Sequence, residues 1–185
     1  MAIRSTFDPA HSRFTVQAFA SGVLSVFAHS PTFLVRDFTG EFQFDPGAPE
    51  KASLHMTVKA DSLDLVDNLK AQDRADIETR MRQEVLATAT YPEIRFDGTV
   101  TSADRVAENW YRLQFQGNLT IRGVTQPQKI DAQVRIGEAE TRLSGEFSLV
   151  QSAFQIKQVS AVGGMIILKD ELKCTFDLAA RKQDG

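Results

Sequence analysis

Phe38-Thr39-Gly40-Glu41-Phe42-Gln43-Phe44 is the stretch on which the fold turns. Its aromatic rings fall on even positions and its polar side chains on odd ones, the period of a β-strand with one dry and one wet face. The same period recurs on both sides. Phe14, Val16 and Ala18 keep it upstream, and Leu54, Met56, Val58 and Ala60 follow, with His55 and Lys59 on the wet side. Further on come Ile94 and Phe96, then Tyr111, Leu113 and Phe115, then Ile130, Ala132, Val134 and Ile136. Leu143, Phe147 and Leu149 precede the last run, Leu172, Cys174, Phe176 and Leu178. Asp45-Pro46-Gly47, Ala103-Asp104, Gly137-Glu138 and Gly163-Gly164 supply turn chemistry between the runs. About eight amphipathic strands with one covered face suit an antiparallel barrel or sandwich, and closure would remove the exposed edges.

One segment changes period. From Asp73 to Leu86 the apolar residues Ile77, Met81 and Val85 stand four apart, predicting a helix over about 73–86. Asp73 is its expected N-cap, and Tyr91-Pro92 lies beyond its end. Asp76 and Glu78 precede Arg80 and Arg82 by one helical turn, the favourable order for ion pairs. The narrow apolar stripe would lie across one end of the barrel, as a lid or as a plug of the core.

Composition narrows the function. The chain carries 13 Phe against 1 Trp and 2 Tyr, which gives aromatic area without polar handles and suits a dry interior. A net charge of -3 with both signs interspersed argues against nucleic acid as a partner. No apolar run reaches the roughly eighteen residues of a membrane-spanning helix. Met1 is followed by the polar stretch Arg4-Ser5-Thr6-Phe7-Asp8-Pro9, so a cytoplasmic location is expected, or a periplasmic one if the chain begins at a processed terminus. The lone Cys174 excludes an internal disulfide and a cysteine metal cluster. Without a linker, repeat or low-complexity stretch, residues 1–185 read as a single domain.

Several segments, taken in order, resemble the YceI-like family, lipocalin-type β-barrels described as polyisoprenoid-binding. Phe7-Asp8-Pro9-Ala10-His11-Ser12 is similar to its first strand, and Phe38-Thr39-Gly40 with Phe44-Asp45-Pro46 to its second hairpin. Tyr91-Pro92-Glu93-Ile94-Arg95-Phe96 resembles the segment after its helix. The strongest match is Gly117-Asn118-Leu119-Thr120-Ile121-Arg122-Gly123-Val124-Thr125-Gln126-Pro127. The resemblance implies an all-β, eight-stranded antiparallel lipocalin-like barrel around an elongated apolar ligand, often in a homodimer. Two stretches depart from the family: Ala20 to Pro31, and Ala153-Phe154-Gln155 where Asp-Phe-Gly is common.

The residues expected to line a ligand are Phe14, Val16, Phe27, His29, Phe33, Phe38, Phe42, Phe44, Met56, Phe96, Leu113, Phe115, Phe147, Phe154 and Phe176. The bland alternative is that these side chains simply fill the barrel, leaving an interaction or structural protein. Catalysis is not expected. No Gly-x-Ser-x-Gly elbow is present, and Asp64, Asp67, Asp73 and Asp76 fit solvated loop and helix-start roles. Cys174 points inward as a small core residue. His11, His29 and His55 are widely spaced without metal-ligand patterning, so a metal or cofactor protein is the least favoured reading. His11 is expected to satisfy nearby backbone groups, and His29 to approach a cavity mouth and a ligand head group. No cofactor is expected beyond an isoprenoid quinone or fatty acid held as ligand.

Overall fold

Alternation this regular calls for strands whose apolar faces turn toward each other, and here they do so by closing the sheet. The computed structural model describes residues 1–22 and 30–183. In chain order its elements are β1 (Ile3–Gln17), β2 (Ala20–Ser21), β3 (Thr32–Val35), β4 (Phe38–Phe44), β5 (Ser53–Lys59) and β6 (Leu63–Leu65). The helix α1 (Ala71–Arg80) follows, then β7 (Glu93–Ala107), β8 (Trp110–Ile121), β9 (Val124–Ile136) and β10 (Glu140–Val150). β11 (Ser160–Ala161), β12 (Ile166–Leu168) and β13 (Glu171–Lys182) complete the chain.

Eight antiparallel strands close in the order β1-β4-β5-β7-β8-β9-β10-β13, and β13 pairs back onto β1. β3 and β6 prolong β4 and β5 past a break, because β1 pairs with β4 through Ile3↔Phe44 and with β3 through Thr15↔Leu34. The break is stitched by Ser62, whose carbonyl accepts from Arg36 N at 3.1 Å and whose hydroxyl accepts from Asp37 N at 3.0 Å. The closing seam has a bulge in β1 between Asp8 and Arg13. Ser12 repairs it: its hydroxyl donates to the Asp8 carbonyl at 2.6 Å and accepts from Ala179 N at 2.9 Å.

Sharp curvature needs inward positions without side chains. Gly98 and Gly117 face each other across β7 and β8, and a Cβ on either would stand 2.7 Å from Phe96 Cζ. The Phe96 ring therefore occupies the space both glycines leave, as aromatic cover does over bent strands. The β8–β9 hairpin turns on Arg122 and Gly123, with φ of 51° and 72°, the pattern of a two-residue type I′ turn. Pro127 is tolerated in β9 because pairing with β10 is confined to Gln133–Ile136, and near Pro127 the strands are bridged instead by Gln128 Nε2 donating to the Ser148 carbonyl at 3.2 Å.

Four local expectations are corrected. Ala103-Asp104 lies inside β7, and the turn falls at Glu108–Asn109, where Asn109 takes a φ of 57°. That hairpin is largely exposed on both faces, so alternation cannot mark where it ends. The helix starts at Ala71 behind a Lys70 cap that makes no side-chain hydrogen bond, so Asp73 is a first-turn residue favoured by the helix dipole. After Arg80 the helix widens into a π turn over Met81–Val85, with Leu86 N donating to the Met81 carbonyl at 2.9 Å. Of the anticipated ion pairs Glu78–Arg82 forms at 3.6 Å, whereas the Asp76 carboxylate accepts from Gln72 Nε2 at 2.8 Å.

Packing differs between the two ends of the barrel. At the end away from the helix, Phe42, Phe44, Phe115, Leu113, Val134 and Leu143 are fully buried against one another. Phe44 meets Tyr111 edge-on at 4.8 Å, and Phe42 meets Phe115 at 6.3 Å. Phe38 stands above them, edge-on to Phe7 and to Phe14 at 6.4 Å each. The other end is left for α1.

Candidate ligand-binding cavity

The helix is held at its post by polar bonds to β6 and the loop behind it. Glu78 accepts from Leu65 N at 3.1 Å, and the Arg74 guanidinium donates to the Leu65 carbonyl and, at 2.6 Å, to the Asp67 carbonyl. With its polar side engaged in this way, α1 and the π turn present Ile77, Met81 and Val85 to the barrel. Below them lies a cavity of about 390 Å³, within the roughly 300–1,000 Å³ common for small-molecule sites. Ile94, Ile121 and Leu149 line it from the long strands, Val16, Phe33 and Leu172 from the seam, and Ile166 and Leu168 from the three-stranded β11-β12-β2 sheet. A second chamber of about 70 Å³ lies deeper, between Phe14, Met56, Phe96, Phe147 and Phe176, and Ile94 borders both.

The walls are almost wholly apolar. Among the described residues their polar contributors are Arg80, Gln151 and Ser160, all at the helix end. The Arg80 guanidinium is shared between the Ser160 carbonyl, at 3.3 Å from both terminal nitrogens, and the Glu84 carboxylate at 3.4 Å. Cys174 is buried on β13, where desolvation pushes its thiol up to about 12, so it carries no thiolate at neutral pH. Among the described residues no three His, Cys, Asp or Glu side chains converge on a point where a metal could sit. Two histidines do find carboxylates. His55 meets Asp97 on the outer face through the β5–β7 register, and His11 Nδ1 lies 2.9 Å from Asp8, so its partner is a side chain and not the expected backbone. Asp8 also accepts from Arg181 at 2.6 Å, and this bond, followed by the one to His11, holds its carboxyl below the ordinary carboxylate range.

A model of the YceI-like domain matches residues 6–180. The chain belongs to the YceI-like family. It is 29% identical over 150 residues to a UPF0312 protein of Enterobacter sp. (strain 638), and 28% identical over 150 residues to the YceI protein of Salmonella newport. Both alignments cover 80% of this chain and 66% of the relative, so the chain spans just under two thirds of those proteins' length. Its fold is similar to that of BcnA from Burkholderia cenocepacia, with a TM-score of 0.69, 20% identity and coverage of 94% of this chain and 98% of that one. A polyisoprenoid binding domain from Saccharophagus degradans superposes with a TM-score of 0.68 at 11% identity, over 97% and 98% of the two chains.

Within this YceI-like barrel the expected lining residues separate into groups. Val16 and Phe33 border the large cavity, while Phe14, Met56, Phe96, Phe147 and Phe176 border the small one. Phe38, Phe42, Phe44, Leu113 and Phe115 face inward but lie in the packed region and touch neither. Phe154 is buried in the 3-10 turn Gln151–Phe154, apart from both cavities. The next residue, Gln155, adopts the left-handed φ of 58° that a glycine takes without strain. Phe27 and His29 lie outside the described residues. Ile121, Leu149, Gln151, Ile156, Ile166 and Leu168 were missed as cavity residues. Leu149 and Gln151 continue one alternation, which placed the first inward and would have placed the second there too.

Proposed function

We propose that this YceI-like chain is a non-catalytic carrier that holds a long apolar molecule of the isoprenoid or fatty class, an isoprenoid quinone included, between α1 and the packed end of the barrel. The observation that carries the reading is the apolar cavity of about 390 Å³ beneath Ile77, Met81 and Val85, with a smaller chamber beyond Ile94 in line with it. Each buried methylene contributes about 0.8 kcal/mol, so one isoprene unit contributes roughly 3–4 kcal/mol and three units on the order of 10 kcal/mol. Association costs about 4–15 kcal/mol, so a chain that fills both chambers can bind without a charged anchor. The Saccharophagus domain, described as polyisoprenoid binding, supports the same class of ligand.

Denaturing freshly purified protein into organic solvent should release an apolar molecule detectable by mass spectrometry. Leu149→Trp, which projects a large side chain into the cavity, should fold and come out empty. Repeatedly empty extracts from the unmodified protein, with no thermal stabilisation by an isoprenoid quinone or a fatty acid, would refute the carrier reading. The packed Phe42–Phe44–Phe115 region would then favour a filled scaffold whose outer surface does the work.

A further inference from the structure

Among the described residues lining the cavity, Gln151 is the one polar side chain that is itself buried, at 5% exposure. It follows Leu149 and the exposed Val150, so the alternation of β10 turns it inward at the helix end of the cavity. Its hydrogen bonds can be counted. The backbone N–H donates to the Asp170 carbonyl at 2.9 Å, and the backbone carbonyl accepts from Ile156 N at 3.2 Å. Side-chain Nε2 donates to the Lys169 carbonyl at 3.2 Å. That last bond fixes the amide, because a flipped Gln151 would set two acceptor oxygens against each other. Oε1 is left over. Among the described residues it accepts no hydrogen bond, and it belongs to a side chain that lines the cavity.

Nearby charge does not change the sign of this demand. Arg80, the one charged side chain among the described lining residues, is committed to Glu84 and to the Ser160 carbonyl. An apolar chain filling the cavity would strip water from Oε1, and a buried acceptor without a donor is costly. Resting on the carrier reading, we propose that the resident molecule bears a hydroxyl at its polar end, donated to Gln151 Oε1, with its apolar chain directed past Ile94 into the deeper chamber. A quinone carbonyl, an ether, a carboxylate or a phosphate ester offers Oε1 only another acceptor. Two sources carry the required hydroxyl, a prenol or a prenylated hydroquinone.

The test is competition, read by native mass spectrometry, between geranylgeraniol and its methyl ether, which share one chain. A second arm sets a prenylated hydroquinone, kept reduced, against its own quinone. The hydroxyl compound should win by about tenfold in whichever arm matches the natural head group, the value of one buried hydrogen bond and the acceptor it would otherwise strand. Gln151→Met, similar in volume and without an acceptor oxygen, should shrink the preference to about twofold or less while still binding the chain. Should Gln151→Met fail to fold, the comparison on unmodified protein decides alone. Equal binding of both members in both arms overturns the hydroxyl and leaves the carrier standing. Binding of none of the four overturns this inference, and the carrier reading falls with it only when a fatty acid also fails to bind and extracts of the unmodified protein are empty.

Discussion

Phe115 and Met81 are buried to nearly the same degree, at 0% and 6% exposure, yet their replacement by alanine should cost very different amounts. Phe115 is surrounded: Phe42 lies edge-on at 6.3 Å, and Val100 and Ile130 sit opposite it on β7 and β9. Phe115→Ala opens a void where none exists, so it loses both transfer and cavity energy, about 3–5 kcal/mol. Met81 has protein on one side and the cavity of about 390 Å³ on the other. Its removal enlarges an existing space, and a side chain with no atoms on one face has less dispersion to lose, so about 1–2 kcal/mol is expected. Urea slopes of roughly 2–3 kcal/mol per molar put the midpoint shifts at about 1.5 M for Phe115→Ala and about 0.5 M for Met81→Ala. The measurement is equilibrium urea unfolding of ligand-stripped protein followed by circular dichroism, with equal slopes required. Equal shifts, or a larger one for Met81→Ala, would refute the division of the barrel into a packed end and a hollow end.

Gly117→Ala should lose about 1–3 kcal/mol in the same assay, because the new Cβ would overlap the Asp97 carbonyl oxygen and crowd Phe96; a neutral result would show that β7 and β8 separate freely there. Cys174, with its thiol pushed up to about 12 by burial, should resist a thiol-specific disulfide reagent near about pH 8 until denaturant is added, and stoichiometric labelling of folded protein would contradict its placement. Asp8 makes stability depend on acid. Its folded value is depressed below the ordinary 3.8, so its contribution is present above that value and is lost as the pH falls through the lowered one. Thermal melts taken between about pH 5 and pH 2 should therefore fall less steeply for Asp8→Asn than for the unmodified chain, and parallel curves would dismiss the Arg181 and His11 bonds as contributors.

What the sequence revealed of this barrel, and what it hid, follows from the range of the forces involved. Strand faces are a local property of period two, so Phe38–Phe44, Tyr111–Phe115 and Leu172–Leu178 announced their inward residues directly. The number of such runs suited a barrel or a sandwich, and the family resemblance pointed to the closed barrel. Whether an inward phenylalanine fills the barrel or borders a cavity is not local. Phe42 and Phe96 share the same alternation and nearly the same burial, and what separates them is distance along the barrel from α1, a matter of register between strands. The same dependence hid the His55–Asp97 pair, which exists because β5 and β7 align those two residues. It also displaced the Ala103-Asp104 turn, since a hairpin exposed on both faces has no apolar pattern to end. Gln151 is the instructive miss. Its inward direction was legible by counting two residues past Leu149, but the apolar surroundings that make its oxygen consequential come from β12, β13 and the π turn, all remote in sequence. A polar residue two positions beyond the last inward apolar one of a strand is therefore worth testing as a cavity group, because the extended Val150 still carries the direction of β10 to Gln151, the first residue of the following 3-10 turn.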